Sequence, residues 1–287
     1  MKDYTIEQEK IAIDYYVNQQ CGQSVSANAA HISISQLKDI LKKNNIAIRG
    51  RDEAAKISNK NRALYKNEDY FDTESPNMAW LLGFLASDGS IGLKDNTIKI
   101  GLSKKDREIL ERIKEELSIE NKINDYTTAN GFDCSELRWT CQKHKNSLAK
   151  YNITPKKTFT LQPPYSLDKK YWIDYIRGYF DGDGSINLIK NSNGRGNGNL
   201  RWQVGSAEPI ILQWIVDYLF EEYGIPKVNV LQTSKDKKHT YYFIQYSSVS
   251  IRKIFDILYT PSSTLFLKRK KDKFIEILNI VQPLNKK

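Results

Sequence analysis

Three cysteines in 287 residues, Cys21, Cys134 and Cys141, are too few and too irregularly spaced to staple a fold. An odd count without a Cys-x-x-Cys pair supports neither a disulfide framework nor a structural zinc site, so reduced thiols are expected. Histidine is as scarce. His31, His144 and His239 show no metal-ligand spacing and no His-centred nuclease pattern, and they are expected at the surface or in structural roles. No run approaches the roughly 18 apolar residues that a bilayer crossing needs, and the start Met-Lys-Asp-Tyr lacks an apolar signal segment. The expectation is a cytoplasmic protein without membrane contact.

Positive charge is plentiful. Forty-four Lys and Arg stand against thirty-four Asp and Glu, a net charge of +10, which favours a polyanionic partner without identifying one. The length is enough to bury a sizeable core in two or three compact units.

One segment is written twice. Leu81-Leu82-Gly83-Phe84-Leu85-Ala86-Ser87-Asp88-Gly89 returns as Ile176-Arg177-Gly178-Tyr179-Phe180-Asp181-Gly182-Asp183-Gly184. Each copy has small residues four apart, Gly83 and Ser87 in the first, Gly178 and Gly182 in the second. On a helix such residues share a face and let two backbones approach closely. An Asp ends each helix just before a Gly that can stop it. Packing the copies together brings Asp88 and Asp183 side by side, and two carboxylates without a basic neighbour in the motif repel unless a divalent cation sits with them. The pattern points to a metal site on a pseudo-two-fold axis.

Both segments resemble the signature of the LAGLIDADG homing endonucleases, in the single-chain form with two repeats, over roughly residues 76–280. The resemblance implies an α+β fold of two pseudo-symmetric αββαββα repeats with antiparallel DNA-binding sheets, preceded here by a small all-α domain. The expected organisation is 1–58 as a helix-turn-helix-like DNA-binding domain, 59–75 as a linker, 76–164 as the first repeat and 165–287 as the second. By the resemblance, Asp88 and Asp183 bind the catalytic divalent metals, Mg2+ or Mn2+. Asp181 sits where the family often has its first acid, but Ala86 holds that place in the first copy, so Asp181 is at best a supporting residue. The family also sets a lysine beside each metal site. Position nominates Lys157 in Thr154-Pro155-Lys156-Lys157-Thr158 and Lys270 in Leu265-Phe266-Leu267-Lys268-Arg269-Lys270, although both lie in basic runs that could instead neutralise phosphates. Gln142 and Arg107 are lesser candidates for the polar surround.

The first 70 residues read as helical. Thr5-Ile6-Glu7-Gln8 and Ser33-Ile34-Ser35-Gln36 both have capping-box spacing. The first opens a helix to about Gln20, the second a helix to about Asn44, with a short Ser26–His31 segment between them. That order resembles a helix-turn-helix with Ile34–Asn44 as recognition helix, extended by phosphate contacts from Arg49, Arg51, Lys56, Lys60 and Arg62. A plain helical hairpin is the alternative.

Later segments alternate with period two. Glu136, Arg138, Thr140 and Gln142 interleave with Leu137, Trp139 and Cys141; Asn199, Arg201 and Gln203 interleave with Leu200, Trp202 and Val204; Thr97 and Lys99 interleave with Ile98 and Ile100. One face of each strand then packs under helices, and the other offers side chains that hydrogen-bond base edges in a major groove. Any half-buried sheet has a polar face, and the shortage of acids on this one favours double-stranded DNA. The middle helix of each repeat is expected to be capped at Ser103–Asp106 and at Ser206–Pro209. The tips Asn191–Asn199, with Arg195, and Ser234–His239, with Lys235, Lys237 and Lys238, are either phosphate contacts or loops without a role.

The expected function is a monomeric, magnesium-dependent endonuclease that makes a double-strand break in a long non-palindromic target. An intron RNA-splicing maturase and a non-catalytic transcription regulator are the alternatives; regulators of this fold commonly lose the motif acids. An intein is disfavoured because the sequence neither begins with a splice-junction Cys or Ser nor ends in His-Asn.

Overall fold

The computed structural model describes residues 4–55, 57, 67–189, 199–233, 240–259 and 264–281. The chain forms two compact units, Met1–Lys66 and Asn67–Lys287.

The first unit holds α1 (Ile6–Ile13), α2 (Gln23–Ala29) and α3 (Ile34–Lys43), with a π-helical turn at Asp14–Asn18 after α1. Both capping boxes form. The Thr5 hydroxyl accepts from Gln8 N at 3.2 Å while Thr5 N donates to Gln8 Oε1 at 2.9 Å, and Ser33 and Gln36 repeat the pair at the same distances. Each cap contributes about 1 kcal/mol. Ala12, Tyr16, Ala27, Leu37, Ile40 and Leu41 make the core, and the α2–α3 turn passes through His31 at φ 52°. Arg49 departs from the expected phosphate contact. Its guanidinium lies 3.8 Å from the centre of the Tyr16 ring and donates to the Tyr16 and Cys21 carbonyls inside the unit. Lys56, Lys60 and Arg62 lie outside the described residues.

The second unit is α+β and runs the same order twice. The first pass is α4 (Pro76–Asp88), β1 (Gly89–Ile91), β2 (Thr97–Ser103), α5 (Arg107–Leu117), β3 (Ile123–Thr127), β4 (Asp133–Thr140) and α6 (Gln142–Lys150). The second is α7 (Trp172–Asp183), β5 (Ser185–Ile189), β6 (Asn199–Ser206), α8 (Pro209–Tyr223), β7 (Leu231–Gln232), β8 (Tyr242–Ser247) and α9 (Ser248–Tyr259), followed by α10 (Lys268–Val281). Each pass makes one antiparallel four-stranded sheet, ordered β1-β2-β4-β3 and β5-β6-β8-β7. The period-two alternation puts Ile98, Ile100, Leu137 and Trp139 on the buried face of one sheet and Trp202, Val204, Ile244 and Tyr246 on that of the other.

Two expected features differ. Gln142 does not extend β4. Cys141 ends the strand, its sulfur accepting from His144 N at 3.5 Å as a helix N-cap, and Gln142 begins α6 with its amide donating to Asn146 Oδ1 at 2.8 Å. His144 inside that helix is buried and structural: it accepts from Trp139 Nε1 at 3.1 Å on Nδ1, which leaves Nε2 to donate to the Asn67 carbonyl at 2.8 Å. The Ser103–Asp106 stretch does not cap α5 either. It forms a 3-10 turn whose Asp106 faces across the unit to Arg269. In the second repeat, Ser206 Oγ accepts from Glu208 N at 3.1 Å just before α8.

Candidate active site

The α4–α7 pair organises the second unit. Ser75 opens α4, its hydroxyl accepting from Met78 N at 3.1 Å, with Pro76 in the first turn where its missing N–H costs nothing. The helices meet backbone to backbone at the small residues. A Cβ on Gly83 would stand 1.9 Å from the Tyr175 carbonyl oxygen, one on Gly178 would stand 1.9 Å from the Trp80 oxygen, and one on Gly182 would meet Ser87 Oγ at 1.8 Å. Only glycine permits this approach, and the reciprocity of the contacts is the two-fold relation seen locally. Gly89 and Gly184 end the helices in extended conformation, not in a left-handed one, and lead straight into β1 and β5.

Asp88 and Asp183 are thereby delivered together at the C-terminal ends of the pair. Asp88 is half-buried, and Asp183 is the more exposed of the two. Burial, and then the charge of Asp183, push the Asp88 pKa up to about 6, against the pull of Lys270 and Lys157. Burial raises Asp183 as well, opposed by the same two lysines. Among the described residues neither carboxylate has a hydrogen-bond donor, and a helix C-terminus is an unfavourable end for an anion.

The two nominated lysines converge on these helix ends. Lys157 Nζ donates to the Gly89 carbonyl at 2.7 Å, with Ser87 O at 3.4 Å. Lys270 Nζ donates to Gly182 O at 2.6 Å and Phe180 O at 2.8 Å. Each ammonium binds carbonyls at a helix end, Phe180 O accepting from Gly184 N as well. Both lysines are buried, and burial lowers both pKa values, that of Lys270 to about 8. Asp181 is fully buried away from this site. It accepts from Trp80 Nε1 (2.9 Å), Tyr259 OH (3.0 Å) and Leu267 N (2.9 Å), which makes it a structural hub.

The residue set fits a divalent cation. Two carboxylates whose pKa values burial raises gain from a positive ion between or beside them. Among the described residues no third His, Cys, Asp or Glu completes a cluster, which suits a cation that takes one or two carboxylates and fills its shell with water and phosphate oxygens.

The polar sheet faces flank the site. Register pairs Lys99 with Arg138 and Thr97 with Thr140 in the first sheet, and Asn187 with Arg201 and Gln203 with Gln245 in the second. Glu136 accepts from Lys99 at 3.1 Å and Arg138 at 3.0 Å, holding both cations in place. Gln142 is exposed at the start of α6 and not in β4, and Arg107 pairs with Glu111 and Asp125 at the start of α5. Arg195 and Lys237 lie outside the described residues. Three residues escaped the sequence reading. Asn187 and Gln245 carry the same alternation as their neighbours. Tyr241 had no local signal: it stands near enough to Asp183 that the carboxylate adds to burial in raising its pKa to about 12.

Comparison with known proteins places these observations. Residues 75–146 match the LAGLIDADG-like domain family. No curated protein matches the chain. Among solved structures it is similar to the meganuclease I-SmaMI bound to uncleavable DNA, at 13% identity over 72% of this chain and 91% of that one, with a TM-score of 0.49. It is also similar to I-CpaMI bound to uncleaved DNA, at 18% identity over 74% and 94% with a TM-score of 0.48. For I-LtrWI bound to target DNA the values are 12%, 76%, 92% and 0.46. Residues 75–146 thus match a LAGLIDADG-like domain, and residues 172–259 repeat its element order around a second acid-bearing helix.

Proposed function

We propose that this chain is a site-specific endonuclease of double-stranded DNA, of the homing type, that needs a divalent metal, Mg2+ or Mn2+, and works as a monomer. The observation that carries the reading is the pairing of Asp88 and Asp183 at the ends of two helices in backbone contact, each end gripped by a buried lysine. The bound cation would supply charge neutralisation at the scissile phosphate and an acidified water. The protein's part is to bring the two carboxylates to one place, where Lys157 and Lys270 oppose the rise in pKa that burial causes. Lys157 and Lys270 keep a positive charge beside each carboxylate and fix the helix ends that carry them.

One chain supplies both acids, so one molecule has what two strand cuts need. The sheet faces differ: Lys99, Arg138 and Thr140 on one side, Arg201, Gln203 and Gln245 on the other. Unlike half-surfaces read unlike half-sites, so the target is long and non-palindromic. The first unit adds contact to the same duplex through α3, whose Lys38 and Lys42 are exposed. The presence of both motif acids favours cleavage over the regulator reading.

The test is cleavage of a plasmid carrying the uninterrupted DNA that flanks the gene's insertion point, with magnesium, with EDTA, and with Asp88→Asn or Asp183→Asn. Linear product that needs the metal and disappears in the variants, with binding retained, is the expected result. A variant that still linearises the plasmid at the normal rate would sink the assignment.

A further inference from the structure

The two site lysines are held in different ways. Lys157 follows Lys156, which turns through φ 61°, and its ammonium reaches carbonyls of its own repeat. Lys270 sits in the first turn of α10, at the end of a segment, 264–270, that is bound on both sides. Toward its own repeat, Leu267 N donates to Asp181 and Lys270 Nζ to the end of α7. Toward the other repeat, Thr264 N donates to Asn77 Oδ1 at 2.9 Å, and Arg112 donates to the Thr264 carbonyl and lies 5.6 Å from the Phe266 ring centre. The strongest of these contacts is the next residue's. Arg269 donates from Nε to Asp106 Oδ1 at 2.9 Å and from Nη2 to Asp106 Oδ2 at 2.8 Å. The Asp106 side chain is only 4% exposed, while that of Arg269 is 51% exposed. At the corresponding place in the second repeat, where β6 and Ser206 lead into α8, the chain has Pro209, which offers no carboxylate.

We infer that Asp106 and Arg269 are positioning residues: the first repeat uses this fork to hold the segment that seats Lys270 on the carbonyl end of α7, so the second repeat's lysine depends on the first repeat while Lys157 does not. The inference rests on the endonuclease reading for its consequence, which is unequal cutting of the two strands when the fork is broken. Its geometric content stands apart from that reading. Lys270 Nζ is buried with two carbonyl acceptors, so it meets a reagent only when the segment lifts. The fork lies one residue away, and losing it shifts that local opening before it shifts the fold as a whole.

The experiment is trace acetylation of the full-length protein, without metal, read by peptide mass spectrometry at Lys270 and Lys157 in the wild type, Asp106→Asn, Asp106→Glu and Arg269→Gln. Asp106→Asn and Arg269→Gln should label Lys270 roughly tenfold faster, the lower end for charge-assisted bonds because Arg269 is half in water. Lys157 should be unchanged, and Asp106→Glu, which keeps a carboxylate, should recover most of the protection. An unchanged Lys270, or equal gains at Lys270 and Lys157, overturns the inference, the second because it marks a loss of stability shared by both halves. On cleavable plasmid, Asp106→Asn should accumulate open circles nicked in one strand, and equal slowing of both strands would count against it. If the wild type cuts no DNA, the nuclease reading falls, and the labelling contrast still decides whether the fork positions Lys270.

Discussion

Replacing Gly83 by Ala puts one methyl group where the structure has no room for it. The new Cβ would lie 1.9 Å from the Tyr175 carbonyl oxygen and 2.8 Å from Tyr179 N, whereas unstrained contact needs roughly 3.5 Å, so α4 and α7 must part by about 1.5 Å. Overpacking in a core costs about 1–3 kcal/mol. The obstacle here is backbone, which cannot swing aside, so the upper end applies, about 3 kcal/mol. The better helix propensity of Ala returns about 1 kcal/mol, leaving a net loss near 2 kcal/mol. For a unit of this size that lowers the melting temperature by roughly 4–8 °C. Cleavage should fall further than stability does, because the same separation moves Asp88 away from Asp183. Differential scanning calorimetry of Gly83→Ala beside Gly101→Ala makes the comparison, since the nearest atom to a Cβ on Gly101 is Tyr126 OH at 3.9 Å. A Gly83→Ala protein that melts at or above the wild-type temperature would refute the close-contact argument.

The raised pKa of Asp88 gives a stability prediction with a definite sign. In the metal-free protein its contribution is fully present below the ordinary carboxylate range and is lost as pH rises from about 4 through about 6. A cation needs the ionised form, so the rise in melting temperature on adding magnesium should be small at about pH 5 and much larger at about pH 8; equal shifts would mean that the ion binds elsewhere. Tyr175 OH is buried without a hydrogen-bond partner among the described residues. Tyr175→Phe should therefore be neutral or stabilising by about 1 kcal/mol in urea titration, and a loss of more than that would reveal a hidden partner.

The helix pair and both motif acids were legible because close packing of helices demands small residues at fixed spacing, and Gly83, Ser87, Gly178 and Gly182 carry that spacing openly. The sheets were legible for the same kind of reason: Leu137 and Trp139 alternate with Glu136 and Arg138 as a half-buried strand must. What failed were choices settled by residues outside the repeating pattern. Gln142 continues the alternation perfectly, yet Cys141 turns the chain into a helix there. Asp106 has the position of a helix cap, but Arg269, 163 residues away, claims its carboxylate. Arg49 has the look of a phosphate contact and is taken up by Tyr16. No local pattern encodes such partners.

The departure from symmetry at Asp181 has a physical reason once the helices are placed. The contact that matches Gly83 with Gly178 also matches Trp80 with Tyr175 and Ala86 with Asp181. Trp80 therefore meets an acceptor in Asp181, while the place that corresponds to Asp181 for its counterpart Tyr175 is an alanine, and the Tyr175 hydroxyl has no partner among the described residues. Asp181 also takes Tyr259 OH and Leu267 N, so the acid collects donors from the first repeat, from α9 and from the segment before Lys270. A buried carboxylate needs several donors to be tolerated, and Asp181 has these three. Burial still leaves its pKa raised, so Asp181 is retained at a cost that its three bonds offset. The same segment is the one that Asp106 and Arg269 fasten from the other side. The asymmetry of the motif and the asymmetry of the lysines thus have one origin: the second repeat's lysine arrives on a strap anchored in both halves, and Asp181 is its inner anchor.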